Sequence, residues 1–372
     1  MLIYYMLMGF WGVISLLFSK ITYPLTSRSE KLNTSRSTIK LRKLLILIYT
    51  LSLVIIIGCR STDVGSDTYL YSLEYMKLNS FSFDEINISL KSEFGYKLLQ
   101  IFFNLIGAPW QLYLILTSII IVFPYSILTY KYSRNVFFPF FLYLTIGIFA
   151  MNMTGIRQSI AVSICLLAFL LLEKKKDFAF FIVVAIATTV HYSAFVFFII
   201  YPICKLEYKD TKHLTLVLFA PIIVRFFSSG FNYVFSMLAT DKQLATGYFS
   251  SVQMQLNPLA EAVPWVILIS VYIIFLLFPE LRTKENCLLF VITGIYVSCY
   301  ELSHALYIAT RLSFYFAPFM LILISNVFPN IKTYNEKIIV LSMILICSIL
   351  FFTLSIPGSS YSIDNYSFFI ES

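Results

Sequence analysis

The sequence predicts an all-α polytopic membrane protein of about twelve transmembrane helices, with one amphipathic helix on the outer face. Three observations carry that reading. The mean hydropathy is +0.84; 59% of the 372 residues are hydrophobic against 12% charged; and apolar runs recur at close to bilayer-crossing length. A soluble core does not explain such a chain. Residues 1–372 read as a single integral membrane domain, with no internal repeat or low-complexity segment.

Apolar runs fall at 2–19, 44–58, 110–129, 136–150, 158–172, 178–190, 192–203, 214–228, 263–278, 287–300, 312–328 and 338–354. The first lacks a basic n-region and a small-residue cleavage site, so it is expected to be a retained span. Six basic connectors lie between alternate runs: "SKITYPLTSRSEKLNTSRSTIKLRK", "KYSR", "EKKKD", "CKLEYKDTKH", "PELRTKEN" and "PNIKTYNEK". They hold 19 of the 27 Lys and Arg. The positive-inside rule then places all six in the cytoplasm and both termini outside, with outer segments 59–109, 229–262 and 355–372. Basic residues spread in this way make no nucleic-acid surface, and none is expected as a partner.

The stretch 95–107, "GYKLLQIFFNLIG", is apolar but short and carries Lys97 and Gln100. Counting it as a span would turn "EKKKD" outward, so it is placed at the outer interface. Runs 178–190 and 192–203 meet at His191, either as two tilted spans or as half-helices in a protein-lined cavity. The six cysteines show no metal spacing and read as small core hydrophobes, although Cys59 and Cys299 both fall at outer helix ends where they can pair.

With this topology the outer end of the bundle collects Arg60, Asp63, Asp67, Glu93, Arg157, His191, Arg225, Glu301, His304 and Arg311. An ionisable group at membrane depth costs roughly 2.5 to 3.5 kcal/mol on insertion scales, so it usually faces an interior or a wet cavity. Arg60, Arg157 and Arg311 each sit at an outer span end, in "IIIGCRSTD", "MNMTGIRQSIA" and "LYIATRLSFYF". Guanidinium forks of this kind suit a diphosphate. Pairing with a carboxylate or a lipid headgroup is the plain alternative, and it fits Arg157 worst, because no carboxylate lies within a turn of it. Snorkelling accounts for Arg225. His191, inside a long apolar run, is a candidate base for a hydroxyl proton, or else a core histidine held by a carbonyl. Asp67 and Glu93 can act as base or accept from sugar hydroxyls, and Gly65 lets the loop turn back. Tyr69, Tyr71 and Tyr96 flank that loop, where they can stack on sugar rings or form an interfacial belt.

The chain has no P-loop, no G-x-G-x-x-G after a strand, no G-x-S-x-G and no metal-spaced Cys/His set. No metal and no cofactor are expected.

The segments "CRSTDVGSDTYLY", "EFGYKLL", "TGIRQSIAVSI", "HYSAFVFF" and "RLSFYFAP", in that order, resemble the EpsG family of Wzy-type O-antigen and exopolysaccharide polymerases over residues 45–325. The resemblance implies a GT-C-like glycosyltransferase bundle in the bacterial inner membrane, with its site facing the periplasm. It implies transfer of a growing glycan from undecaprenyl diphosphate onto the non-reducing end of a new lipid-linked repeat. The partners implied are that lipid-linked oligosaccharide, membrane lipids and a chain-length regulator protein. The family pattern falls on Arg60, Gly65, Asp67, Tyr71, Glu93, Gly95, Arg157, His191, Arg311 and Tyr315. Basic, glycine-spaced outer loops of some relatives are not matched, since 229–262 holds Lys242 as its one lysine. The expected mechanism is metal-independent displacement at the anomeric carbon. Arg60, Arg157 and Arg311 hold the diphosphate, His191, Asp67 or Glu93 takes the proton, and Tyr69, Tyr71, Tyr96 and Tyr315 lie along the glycan. An O-antigen ligase or a flippase for the same lipid shares the arginine logic, but a flippase needs its charges in a central cavity. A membrane acyltransferase lacks its early histidine here.

Overall fold

A computed structural model describes residues 1–18, 36–78, 93–208, 210–238, 258–306, 308–328 and 334–371. Lys242 and most of the 229–262 loop lie outside the described residues, as do 79–92 and much of the first basic connector. Among the described residues the structure is helical, with one isolated antiparallel bridge between Arg60 and Phe368.

The chain forms two compact units, Met1–Phe198 with Leu345–Ser372, and Ile199–Ile344. Helices of the first unit are α1 (Leu2–Leu17), α2 (Arg36–Gly58), α3 (Thr68–Lys77), α4 (Phe94–Leu105), α5 (Trp110–Tyr132), α6 (Phe137–Thr145), α7 (Ile148–Thr154), α8 (Ile156–Glu173) and α9 (Asp177–Val190), followed by a 3-10 helix at Tyr192–Ile199. The second unit contains α10 (Ile200–Lys205), α11 (Thr211–Leu238), α12 (Pro258–Leu277), α13 (Lys284–Leu302), α14 (Ile308–Ser313) and α15 (Ala317–Val327). α16 (Tyr334–Ser355) leads from the second unit back into the first.

Among the described residues, five helices are long and apolar enough to cross a membrane: α2, α5, α8, the Thr211–Ser228 part of α11, and α13. A sixth crossing exists if α6 and α7 count as one span, bent by 58° at Ile146 and Gly147. Gly147 permits the bend, because its φ of +81° lies in the left-handed region that a side chain resists. These helices make the chain a membrane protein. The stretch expected at the interface is α4, twelve residues long. At about 1.5 Å per residue it falls well short of a bilayer core. It exposes Phe94, Leu98, Phe102 and Leu105 and buries Tyr96, Gln100 and Phe103. Among the described residues no disulfide forms, so Cys59 and Cys299 are not paired.

Packing in the first unit follows membrane rules, with small residues and hydroxyls where helices approach. A Cβ on Gly58 would lie 2.9 Å from the Ile115 backbone, so α2 and α5 meet there at backbone distance. Thr50 and Ser126 share a 2.6 Å hydrogen bond along the same seam. Arg42, from the first basic connector, is buried and donates to the carbonyls of Ser133 at 2.6 Å and Arg134 at 3.3 Å. It caps the C-terminal end of α5, where cationic charge also suits the helix dipole. Lys131 pairs with Glu173, and Tyr132 donates to the same carboxylate at 2.7 Å, so connectors "KYSR" and "EKKKD" lie at one end of the unit. At the other end the amino terminus donates to the Asp364 carbonyl and Thr154 donates to the Tyr361 carbonyl at 3.0 Å.

Gly95 brings α4 against α9. An added Cβ would stand 2.2 Å from Thr189 Oγ1 and 2.9 Å from its backbone carbon. Gly95→Ala is therefore expected to destabilise the first unit by about 1–3 kcal/mol, as overpacking does. Thr189→Ala in the same chain should restore only part, since the backbone clash persists. Thermal unfolding of the detergent-purified variants checks both.

Candidate functional site

Glu93 joins three segments of the first unit. Its Oε2 lies 2.8 Å from Arg157 Nη1 at the start of α8, and its Oε1 accepts from His191 Nδ1 just beyond α9. Glu93 itself precedes α4 in a left-handed conformation, φ 50° and ψ 47°. For a residue other than glycine that costs on the order of 1–3 kcal/mol and persists only where surrounding contacts enforce it. Here the Arg157 guanidinium, the His191 imidazole and the Tyr192 hydroxyl, 3.2 Å from the Glu93 amide, do so.

His191 ends α9 with extended backbone, its amide on the Ala187 carbonyl and its own carbonyl receiving Ala194 to open the 3-10 turn. Because a carboxylate can only accept, Nδ1 carries the proton, and a neutral imidazole then has its lone pair on Nε2. That Nε2 is buried and has no hydrogen-bond partner among the described residues. Such an atom, oriented through the opposite nitrogen by a carboxylate, has the arrangement of a general base.

Arg157 has a cation at a helix N-terminus, which the dipole disfavours, so its neighbours must compensate. Its Nε donates to the Tyr71 hydroxyl at 3.2 Å, and its guanidinium lies 5.4 Å from the Tyr71 ring centre and 6.0 Å from that of Tyr96. The side chain still keeps 39% of its surface exposed, whereas Glu93 keeps 11% and His191 12%. Burial opposes ionisation of Glu93, yet the hydrogen bond from His191 and the charges of His191 and Arg157 more than offset it. Its pKa is held below the ordinary carboxylate value.

The expectation that Arg60 grips a diphosphate meets a side chain with no exposed surface at all. Its Nε donates to the Val64 carbonyl at 3.1 Å, its Nη1 to that of Ile57, and its Nη2 to the Met153 carbonyl at 2.8 Å and Thr68 Oγ1 at 3.3 Å. Arg60 thus caps the ends of α2 and α7 and shapes the loop between α2 and α3. Gly65, at φ +93°, passes so close to Met153 that a Cβ would meet its carbonyl oxygen at 2.2 Å. The segment after α16 lies along the same loop: Ser61, Gly65 and Ser66 amides donate to the carbonyls of Ser367, Ser362 and Tyr361, and Phe369 donates to Cys59. Nothing in the local sequence announced this strap.

Tyr71 and Tyr96 are buried beneath Arg157, so their rings serve the guanidinium and are not open platforms for sugar. Tyr69 is 55% exposed. Asp67 stands at the N-terminus of α3, half-buried, and its carboxylate accepts from Ser66 Oγ at 3.1 Å. Arg311 and Tyr315 belong to the second unit, Arg311 half-buried on α14 and Tyr315 fully buried after it. Arg225, Glu301 and His304 are there too, with Glu261, which sequence reasoning passed over because it stands alone in its segment.

Fold and site together define a helical membrane protein with a histidine, a carboxylate and an arginine gathered at one end of its helices. The chain belongs to the EpsG family, whose model matches residues 43–369 and so reaches into the terminal strap. The family is of polysaccharide-polymerase type, associated with glycosyltransferase activity. Neither a curated protein nor a solved structure matches the chain.

A carboxylate whose pKa is lowered by folding adds stability above its unfolded value, near 4.3, and that stability is lost as pH falls through the folded value. The melting-temperature gap between wild type and Glu93→Gln should accordingly be widest at neutral pH and close below about pH 4. Melts between pH 3 and 7 measure it. Ending the chain after Pro357 should raise hydrogen exchange at the Ser61, Gly65 and Ser66 amides by on the order of tenfold or more, with α5 amides unchanged.

Proposed function

We propose that the chain is a surface-polysaccharide polymerase of the O-antigen kind, working at the periplasmic face of the bacterial inner membrane with about twelve crossings. The growing glycan is donated from undecaprenyl diphosphate to the non-reducing sugar of a new lipid-linked repeat. The observation that carries this is His191 Nε2, buried without a partner, with Nδ1 fixed by Glu93 and Arg157 alongside.

In the reaction an acceptor hydroxyl oxygen forms a bond to the anomeric carbon, and the bond from that carbon to the diphosphate oxygen breaks. His191 Nε2 takes the hydroxyl proton, and the diphosphate leaves as an anion. Glu93 stabilises the imidazolium. Arg157, partly exposed and permanently charged, offers the diphosphate a fixed partner where negative charge develops. Asp67 and Tyr69 are assigned to sugar contacts on the rim. Arg60 holds the loop that carries them, and Arg311 is retained as a candidate anion ligand within its own unit.

General base removal typically costs 10²- to 10⁴-fold in rate, so His191→Ala should lose about that much transfer with purified lipid-linked repeat. Arg157→Ala should abolish transfer and Arg157→Lys should restore only part of it, because an ammonium lacks the fork. In a strain deleted for the gene, lipopolysaccharide should stop at core plus one repeat, and wild type but not Arg157→Ala should restore the ladder. Bare core with accumulated lipid-linked polymer would mark a ligase instead, and absence of lipid-linked repeats on the outer face would mark a flippase.

A further inference from the structure

We propose that the second unit holds a divalent cation between Glu261, Glu301 and His304, a site of the zinc kind. One ligand atom from each lies within 4.8 Å of the others. Glu261 sits in the first turn of α12, Glu301 at the end of α13 and His304 in the turn that follows. An imidazole with two carboxylates is a donor set that zinc accepts readily, with a further position open to water.

Two features separate this cluster from an ordinary surface ion pair. Glu301 is only 5% exposed, and a carboxylate buried to that degree is costly unless it is paired. Trp265 Nε1 donates to its Oε1 at 2.6 Å, which orients the carboxylate as outer partners orient metal ligands. Arg225 Nε stands 4.0 Å from Oε2, beyond hydrogen-bond reach, on a side chain nearly half exposed. His304 Nε2 lies 2.8 Å from Glu261 Oε1, which brings an imidazole nitrogen and a second carboxylate oxygen close together beside Glu301. A cation among the three neutralises both carboxylates and joins the start of α12 to the end of α13. The inference is independent of the polymerase reading and does not involve Glu93 or His191.

Full-length protein in detergent, stripped with chelator, is to be dialysed against buffered Zn²⁺ at neutral pH and the bound metal measured by elemental analysis. Wild type and Glu93→Gln should each retain about one ion per chain with equal affinity. Glu301→Gln and His304→Asn should bind at least tenfold more weakly. Glu261→Gln, at a half-exposed position that tolerates change without refolding, should also bind weakly while eluting as wild type in size-exclusion chromatography. No retained zinc in wild type, equal retention in all variants, or loss in Glu93→Gln alone would overturn the proposal.

Discussion

The arrangement of the first unit depends on where one guanidinium goes. A fully buried arginine costs several kcal/mol unless its donors are met by acceptors of good geometry. Arg60 reaches the Ile57, Val64 and Met153 carbonyls and the Thr68 hydroxyl, and two of those carbonyls are free ends of helices α2 and α7. Helix C-termini carry partial negative charge and unmet acceptors, so one cation settles two ends at once. The bend between α6 and α7 then has a physical counterpart, because it delivers Met153 to Arg60. Fixing that joint fixes the loop, and Gly65 is required where the loop touches Met153. α3 starts from the loop and carries Tyr71, on which Arg157 rests. Arg157 in turn meets Glu93, and Glu93 meets His191.

Two arginines at helix ends of the first unit therefore divide the work by environment. Arg60 is enclosed by carbonyl oxygens and acts on the protein. Arg157 is shared among one carboxylate oxygen, one phenol and two ring faces, and retains exposed surface. With His191 neutral, the charges of Glu93 and Arg157 balance. When the imidazole gains a proton, Glu93 is shared between two cations and the cluster becomes net positive as the proposed leaving group becomes negative. Proton uptake and anion stabilisation are then coupled through a single carboxylate.

Much of this fold is legible in hydropathy, since burial in lipid writes itself into long apolar runs. The expected runs 110–129, 158–172 and 287–300 become α5, α8 and α13 with only a few residues added at the ends. Run 136–150 reads as continuous because the residues flanking Gly147 are apolar, and hydropathy carries no information on backbone direction. The run 192–203 likewise conceals a change from 3-10 to α-helix. Boundaries at α2 are missed by eight residues, since Arg36 to Lys43, polar apart from Ile39 and Leu41, are helical. The chain's division into two compact units leaves no compositional trace at Ile199 or Ile344, both within apolar segments.

The site is legible as a set of residue types but not as a set of contacts. Arg60 and Arg157 look alike in sequence, each following a glycine-containing span end, although only Arg60 has a carboxylate, Asp63, within a turn of it. What separates them arrives from elsewhere in the chain: Met153 lies 93 residues beyond Arg60, and Glu93 lies 64 residues before Arg157. The same holds for Tyr71 and Tyr96, whose positions beside a charged loop suggest open aromatic faces until Arg157 is seen to occupy them. Charged residues in an apolar chain are forced to find partners, and the strength of that requirement makes them easy to notice and hard to assign. A count of unmet charges in the sequence thus bounds how many long-range contacts the fold must supply. Their geometry decides which charges are consumed by the fold, as with Arg60, and which keep some exposed surface, as with Arg157.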